Sequence, residues 1–334
     1  VQIKFTSKYL LLLILLFIFF ILDLALGSTY IPFSKVFAAL DGNAGLSENI
    51  IVLGFRLPKA IAALSAGMAL SVAGMLMQTF FRNPLAGPYV LGINSLASLS
   101  VAVFMLAGGS SASLFFKLGV PFAASAGAFG GLLLLLVLSR KIKSSTHLLL
   151  VGMMIGFLAG ALQSVLEYLA NPSDLKNFVV WNMASLSNVT GYDLGGFFVL
   201  VLLVCTACLF LIKPLNVLLL GDEQATLLGV NVKRAKFFIL IIVAILSGIT
   251  TAYCGPVGFV GLAMPHLVRM IFKTTHHLHQ FAGSILLGAC FMLFCDIIGN
   301  LPVFEITLPV NVITSLFGAP FVLWLIFRQK NSFE

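Results

Sequence analysis

The sequence predicts an all-α polytopic membrane protein of about ten transmembrane helices, arranged as an inverted-topology repeat. Two observations carry the helix count, and a third suggests the repeat. Hydrophobic residues fill 60% of the 334 positions and charged residues only 9%, with a mean hydropathy of +1.12. A soluble domain could not hide so much apolar surface, so the solvent for most of this chain is lipid. The apolar residues fall into ten runs, and a hydrocarbon layer about 30 Å thick takes about 20 helical residues to cross. Finally, two Gly-Pro segments, GPYVLG and GPVGFVG, lie five spans apart. An odd number of crossings points them in opposite directions, with spans two to five echoing spans seven to ten.

The runs lie at about 9–26, 57–80, 90–107, 118–138, 147–169, 192–212, 236–254, 257–272, 281–300 and 307–327. Each is expected to be a helix, because backbone N–H and C=O groups in hydrocarbon have no water to satisfy them. The first follows Lys4 and Lys8 and has no small-residue cleavage site before Asp23, so it reads as a retained span rather than a signal peptide. After the second, RNPLAGP supplies Pro84 and Pro88, which stop helices, and Gly87, which permits a tight turn. The fifth follows Ser144, Ser145 and Thr146, hydroxyl residues suited to capping a helix. The sixth and seventh are separated by a polar segment at 221–234, GDEQATLLGVNVKR. Its early Asp222 and Glu223, apolar centre and basic end suit a short amphipathic helix with a favourable dipole. A membrane-surface helix would read similarly. The eighth run is short and begins at a Gly-Pro.

With the N-terminus inside, 14 of the 19 Lys and Arg residues fall on the cytoplasmic side and 5 outside, the bias that sets orientation. The outside set is Lys35, Arg56, Lys59, Lys117 and Lys176, while Asp41, Glu48, Glu167, Asp174, Asp193 and Glu305 lie outside or near it. Both termini are therefore expected in the cytoplasm. The net charge of +8 reports topology rather than a nucleic-acid partner.

Several function classes find no support in the sequence. Cys205 and Cys208 have redox or metal spacing, but no second ligand pair accompanies them, so all five cysteines read as packing residues. His276, His277 and His279 read as a solvated turn rather than a metal site, and His147 and His266 as packing or interface residues. There is no HExxH, no GxSxG and no paired carboxylate inside a span. No catalytic, metal or cofactor-binding residue is assigned. The dipeptide Gly-Lys never occurs, so there is no phosphate loop and any ATP hydrolysis belongs to another polypeptide. An ion-coupled secondary transporter is the alternative, with Asp296 and Glu167 as coupling groups. Asp23 and Asp296 fall toward outer helix ends, where a charge can also simply reach water. A lipid-modifying membrane enzyme would need clustered His or carboxylates on one side.

Four ordered blocks add a resemblance. The runs RLPKAIAALSAGMALSVAGMLMQTFFRNPLAGPYVLGI, GDEQATLLGVNVKR, GPVGFVGLAMPHLVRM and LPVNVITSLFGAPFVLWL, from 56 to 327, resemble the permease family of ABC importers for iron-siderophores, haem and cobalamin. The resemblance implies one permease domain over 1–334 in a bacterial inner membrane, with 221–234 as its coupling segment. It further implies a homodimer, two cytoplasmic ATPase subunits carrying ATP and Mg, and an extracytoplasmic substrate-binding protein. Membrane lipid surrounds the assembly, and no cofactor is bound by this chain.

The resemblance also assigns residues. Asn83 and Leu85 match a cytoplasmic gate, and Ser144, Ser145 and Thr146 match a second gate element; the same residues also suit simple capping turns. Coupling to the ATPases falls to Asp222, Glu223, Ala225, Leu227, Leu228 and Gly229. Arg56 and Lys59 match cations that meet acidic groups of the binding protein, with Lys59 where the family often has Arg. Asn300 stands at a third position that is basic in some members. Met153, Met154 and Phe317 are more simply helix packing than ligand contacts. A ferric siderophore is the first expectation for the substrate, then haem, then cobalamin.

Overall fold

A computed structural model describes residues 2–107, 114–142, 144–189, 192–301 and 307–330. Lys143 and Glu305, used in the charge count, lie outside the described residues, as do the side chains of Lys4, Lys117, Arg140, Ser145, Arg328 and Lys330. Among the described residues all regular structure is helical. In chain order the α-helices are α1 (Gln2–Ala25), α2 (Phe33–Leu40), α3 (Leu46–Asn49), α4 (Leu57–Phe81), α5 (Ile93–Ala102), α6 (Leu114–Lys141), α7 (Ser145–Leu169) and α8 (Pro172–Asn182). They continue with α9 (Tyr192–Cys208), α10 (Ile212–Leu218), α11 (Asp222–Leu227), α12 (Val232–Cys254), α13 (Val260–Phe272), α14 (His277–Gly299) and α15 (Val310–Lys330).

Seven of the described helical stretches are long and apolar enough to cross a membrane, and three shorter apolar ones, Ile93–Leu106, Val260–Phe272 and Val310–Trp324, complete the ten predicted spans. Boundaries moved where polar residues hid helix. The second stretch reaches back from 57 to Leu46 because a π-helical segment, Ile50–Arg56, joins α3 to α4. The third begins at Ile93 rather than 90, because Pro88–Leu91 is spent on a 3-10 turn.

The centre of the bundle is α4. Nineteen of its 25 residues are buried, mostly Ala, Gly, Ser, Leu and Met, as expected of a helix apolar on every face. Small residues let neighbouring backbones approach closely, since lipid provides no hydrophobic drive between helices. A Cβ added at Gly74 would sit 1.6 Å from the carbonyl oxygen of Gly261 on α13, and one at Gly67 would sit 2.2 Å from that of Gly288 on α14.

The packing pattern supports the inverted repeat. As α4 packs against α13 and α14, so α12 packs against α5 and α6; as α5 contacts α6 and α7, so α13 contacts α14 and α15. Exchanging the second-to-fifth spans with the seventh-to-tenth reproduces the contacts, which is what a pseudo-two-fold relation requires. The irregular segment 255–259 between α12 and α13 is buried and braced: Gly258 N donates to Asn311 Oδ1 at 3.0 Å, and Ser185 N donates to the Cys254 carbonyl at 2.9 Å. Gly255, at φ 80, takes a conformation that glycine adopts without steric cost.

Candidate functional site

One face of the bundle gathers the N-terminus, the end of α4, the α10–α12 connection and the α13–α14 turn. There α4 ends at Arg82, whose φ of 48 is left-handed. An L side chain in that region costs roughly 1–2 kcal/mol, so its surroundings must hold it. Asn83 N donates to the Gln78 carbonyl at 3.1 Å, closing the helix in a Schellman-like turn. Asn83 Oδ1 accepts from Leu85 N at 2.9 Å. The capping role is therefore built into Asn83, while Leu85 stands exposed. The turn continues to Gly92, where an added Cβ would come within 2.7 Å of the Gly152 carbonyl oxygen on α7.

The second predicted gate element opens α7. Ser144 Oγ accepts from His147 N at 3.4 Å, a long N-cap bond, and Thr146 is exposed. Ser145 starts the helix, but its side chain lies outside the described residues. The two elements meet where Gly92 packs against Gly152 and Gly156 of α7.

The 221–234 segment forms the short helix α11, ended by Gly229 at φ 83, and then the N-terminus of α12. Its two faces differ. Ala225 is buried, whereas Leu227 is 88% and Leu228 62% exposed, and Glu223 also points outward. On the inner side Arg82 donates to Asp222 Oδ1 at 2.6 Å, and Lys236 bonds the other carboxylate oxygen. Lys236 also lies 5.7 Å from the centroid of the Phe80 ring. Asp222, expected to complement the helix dipole and to take part in coupling, ties α11 to the ends of α4 and α12.

The histidines depart from the solvated turn expected of them. His276 is exposed, but His277 is buried, with Nε2 2.9 Å from Thr79 Oγ1 and Nδ1 2.9 Å from Asn216 Oδ1. His279 Nδ1 is 2.8 Å from Tyr9 Oη, and its ring stacks on Phe5. An apolar helix end cannot leave imidazole nitrogens unpaired at low cost, so these rings join α1, α4, α10 and α14. Among the described residues no group of three His, Cys, Asp or Glu side chains could hold a metal ion, and all five cysteines are buried and unbridged.

The opposite face contains a cavity of about 410 Å³ whose lining includes Asp23, Arg56, Lys59, Asp296 and Asn300. Asp23 is 5% and Asp296 2% exposed, which corrects the expectation that these carboxylates simply reach water. Lys59 Nζ lies 3.0 Å from Asp296 Oδ1 and 2.7 Å from Asn300 Oδ1. Arg56 donates to the carbonyls of Leu24 at 2.9 Å and Ala25 at 2.8 Å, capping the end of α1. The two cations are therefore committed to internal partners, and Asn300, where a third cation was sought, accepts from Lys59. Sequence reasoning missed these pairings because the partners lie on helices far apart in the chain. The usable signal was the ionisable residue inside a span, which demands a partner.

The FecCD transport family matches residues 14–328. The chain belongs to that family. Among FecCD-type relatives, it is 39% identical to the hemin transport system permease protein HmuU of Yersinia pestis over 282 residues, 84% of each chain. It is 33% identical to the Fe(3+) dicitrate transport system permease protein FecD of Escherichia coli, covering 93% of this chain and 95% of that one. A solved structure described as an inward-facing conformation of a metal-chelate type ABC transporter superimposes with a TM-score of 0.83 at 28% identity, covering 97% and 99% of the two chains. This FecCD permease is a multi-pass membrane protein of the ten-helix ABC permease fold.

Proposed function

We propose that this chain is the membrane-spanning subunit of an ATP-driven importer that carries an iron chelate delivered by a substrate-binding protein. Ferric siderophore is the first choice of substrate, then haem, then cobalamin. The similarity to a hemin permease and a ferric dicitrate permease supports the chelate class. One observation carries the coupling role: α11 and its C-cap present Leu227 and Leu228 outward, at 88% and 62% exposed, beside a buried Ala225. Such an exposed apolar pair suits insertion into a groove of another protein. We assign that protein as a cytoplasmic ATPase, which holds the ATP and Mg that this chain, without a phosphate loop, does not.

On this reading the protein is a homodimer with two ATPases beneath it, both termini are cytoplasmic, and the chelate passes between the two copies. Asn83 and Leu85, with Ser145 and Thr146, form the cytoplasmic gate. Leu85 is the apolar plug, and Asn83 shapes the turn that presents it. Arg56 and Lys59 shape the outer face on which the binding protein docks. The ion-coupled alternative loses support because Asp296 is neutralised by Lys59 and Glu167 is bound by Gln163 at 2.8 Å.

The test is reconstitution of the permease with its co-purified ATPase and the binding protein in liposomes. Uptake of a ferric siderophore, hemin and cobalamin is compared with and without internal ATP. Uptake of one chelate that requires ATP supports the assignment; uptake without ATP or the ATPase contradicts it.

A further inference from the structure

We infer that the Arg82–Asp222–Lys236 cluster is the mechanical link by which the coupling helix moves the turn after α4, with Arg82 as its positioning residue. The inference rests on the proposed function, because it needs α11 to meet an ATPase and the 82–92 turn to gate the path.

Three observations converge on the cluster. Asp222 is the first residue of α11 and spends both carboxylate oxygens on cations from other helices, Oδ1 on Arg82 and Oδ2 on Lys236. Arg82 is held left-handed at φ 48, a conformation unfavourable for any side chain and cheap for glycine. A residue whose only task was to end the helix would be better as glycine, whereas Arg82 also places its guanidinium on Asp222. Finally, the chain from Arg82 to the proposed plug is short and stiff. Asn83, Pro84 and Leu85 follow directly, with Asn83 Oδ1 closing onto Leu85 N. Displacing α11 therefore pulls on Arg82 and re-aims Leu85.

The two faces of α11 separate docking from transmission. Leu227 and Leu228 point outward, while Asp222 and Ala225 face the bundle. Arg82 and Asp222 are both about half exposed, at 48% and 44%, so solvent screens their attraction and the pair adds little to stability. The pair can therefore rearrange at small cost when α11 moves. Coupling between two sites requires an element with alternative arrangements that both sites bias, and the 82–92 turn is the element this cluster can bias.

The test uses Leu85→Cys in the assembled complex with its ATPase, read by the rate of reaction with a membrane-impermeant maleimide with and without ATP and vanadate. All five cysteines of this chain are buried, so the introduced thiol dominates the label on the permease band, which is read separately from the ATPase. The expected result is a nucleotide-dependent rate in the Leu85→Cys parent, its loss in Arg82→Gln, and its retention in Arg82→Lys, which keeps the charge. Asp222→Asn, which breaks the bonds to both Arg82 and Lys236, should lose the nucleotide-dependent rate as well. The ATPase should still co-purify with Arg82→Gln, since Leu227 and Leu228 are untouched. A nucleotide-dependent rate that persists in Arg82→Gln overturns the link and leaves the gate assignment standing. A parent with no nucleotide dependence overturns the gate assignment, and the link with it.

Discussion

Replacing Lys59 by Met should be far more damaging than removal of a surface cation. The ammonium lies 3.0 Å from Asp296 Oδ1, and Asp296 and Asp23 are only 2% and 5% exposed. Stripped of Lys59, the Asp296 carboxyl group loses its counter-charge in a place water hardly reaches. Removing one partner of a buried pair costs about 3–5 kcal/mol. Lys59 itself is 19% exposed, so partial screening favours the lower end, about 3 kcal/mol, or about a hundredfold in the folded-to-unfolded ratio. Adding Asp296→Asn to Lys59→Met removes the orphaned charge and should recover most of the loss. SDS titration of the purified protein in mixed micelles, followed by circular dichroism, measures both variants. A Lys59→Met cost below about 1 kcal/mol, the value of an exposed pair, would refute the reasoning, as would a double variant no more stable than the single.

Gly74→Ala should destabilise the bundle by about 1–3 kcal/mol, because its Cβ would lie 1.6 Å from a backbone carbonyl oxygen of α13; the same titration detects it. Thr79→Val strips His277 Nε2 of its partner at 2.9 Å and should cost about 1–3 kcal/mol, whereas a solvated His277 would predict no change. Leu227→Asp with Leu228→Asp should abolish co-purification of the ATPase while leaving SDS stability unchanged, because both side chains are exposed. A complex that survives this change argues against α11 as the docking element. Impermeant maleimide should leave the native protein unlabelled until SDS unfolds it, since all five cysteines are buried.

Hydropathy made the ten spans legible because lipid imposes one requirement on every crossing, an apolar run with its own backbone satisfied. The repeat was legible at its two Gly-Pro breaks, where the chain must leave the helix. Helix ends were less so: the extension from 57 back to Leu46 carries Glu48 and Arg56, whose charges interrupt the apolar signal. At the candidate site, Leu227 and Leu228 were readable as an exposed apolar centre. The bond from Arg82 to Asp222 spans 140 residues and that from Lys59 to Asn300 spans 241. No local pattern announces such pairings, because they arise from which helices become neighbours. His277 was misread for the same reason: its partners Thr79 and Asn216 lie on other helices.

The most direct test of the importer assignment is to solubilise the tagged protein from its own membranes in mild detergent and identify what remains bound by mass spectrometry. The account predicts a co-purifying ATPase subunit carrying a phosphate loop, lost when Leu227 and Leu228 become Asp. Recovery of this chain alone, active in liposomes without ATP, would contradict it.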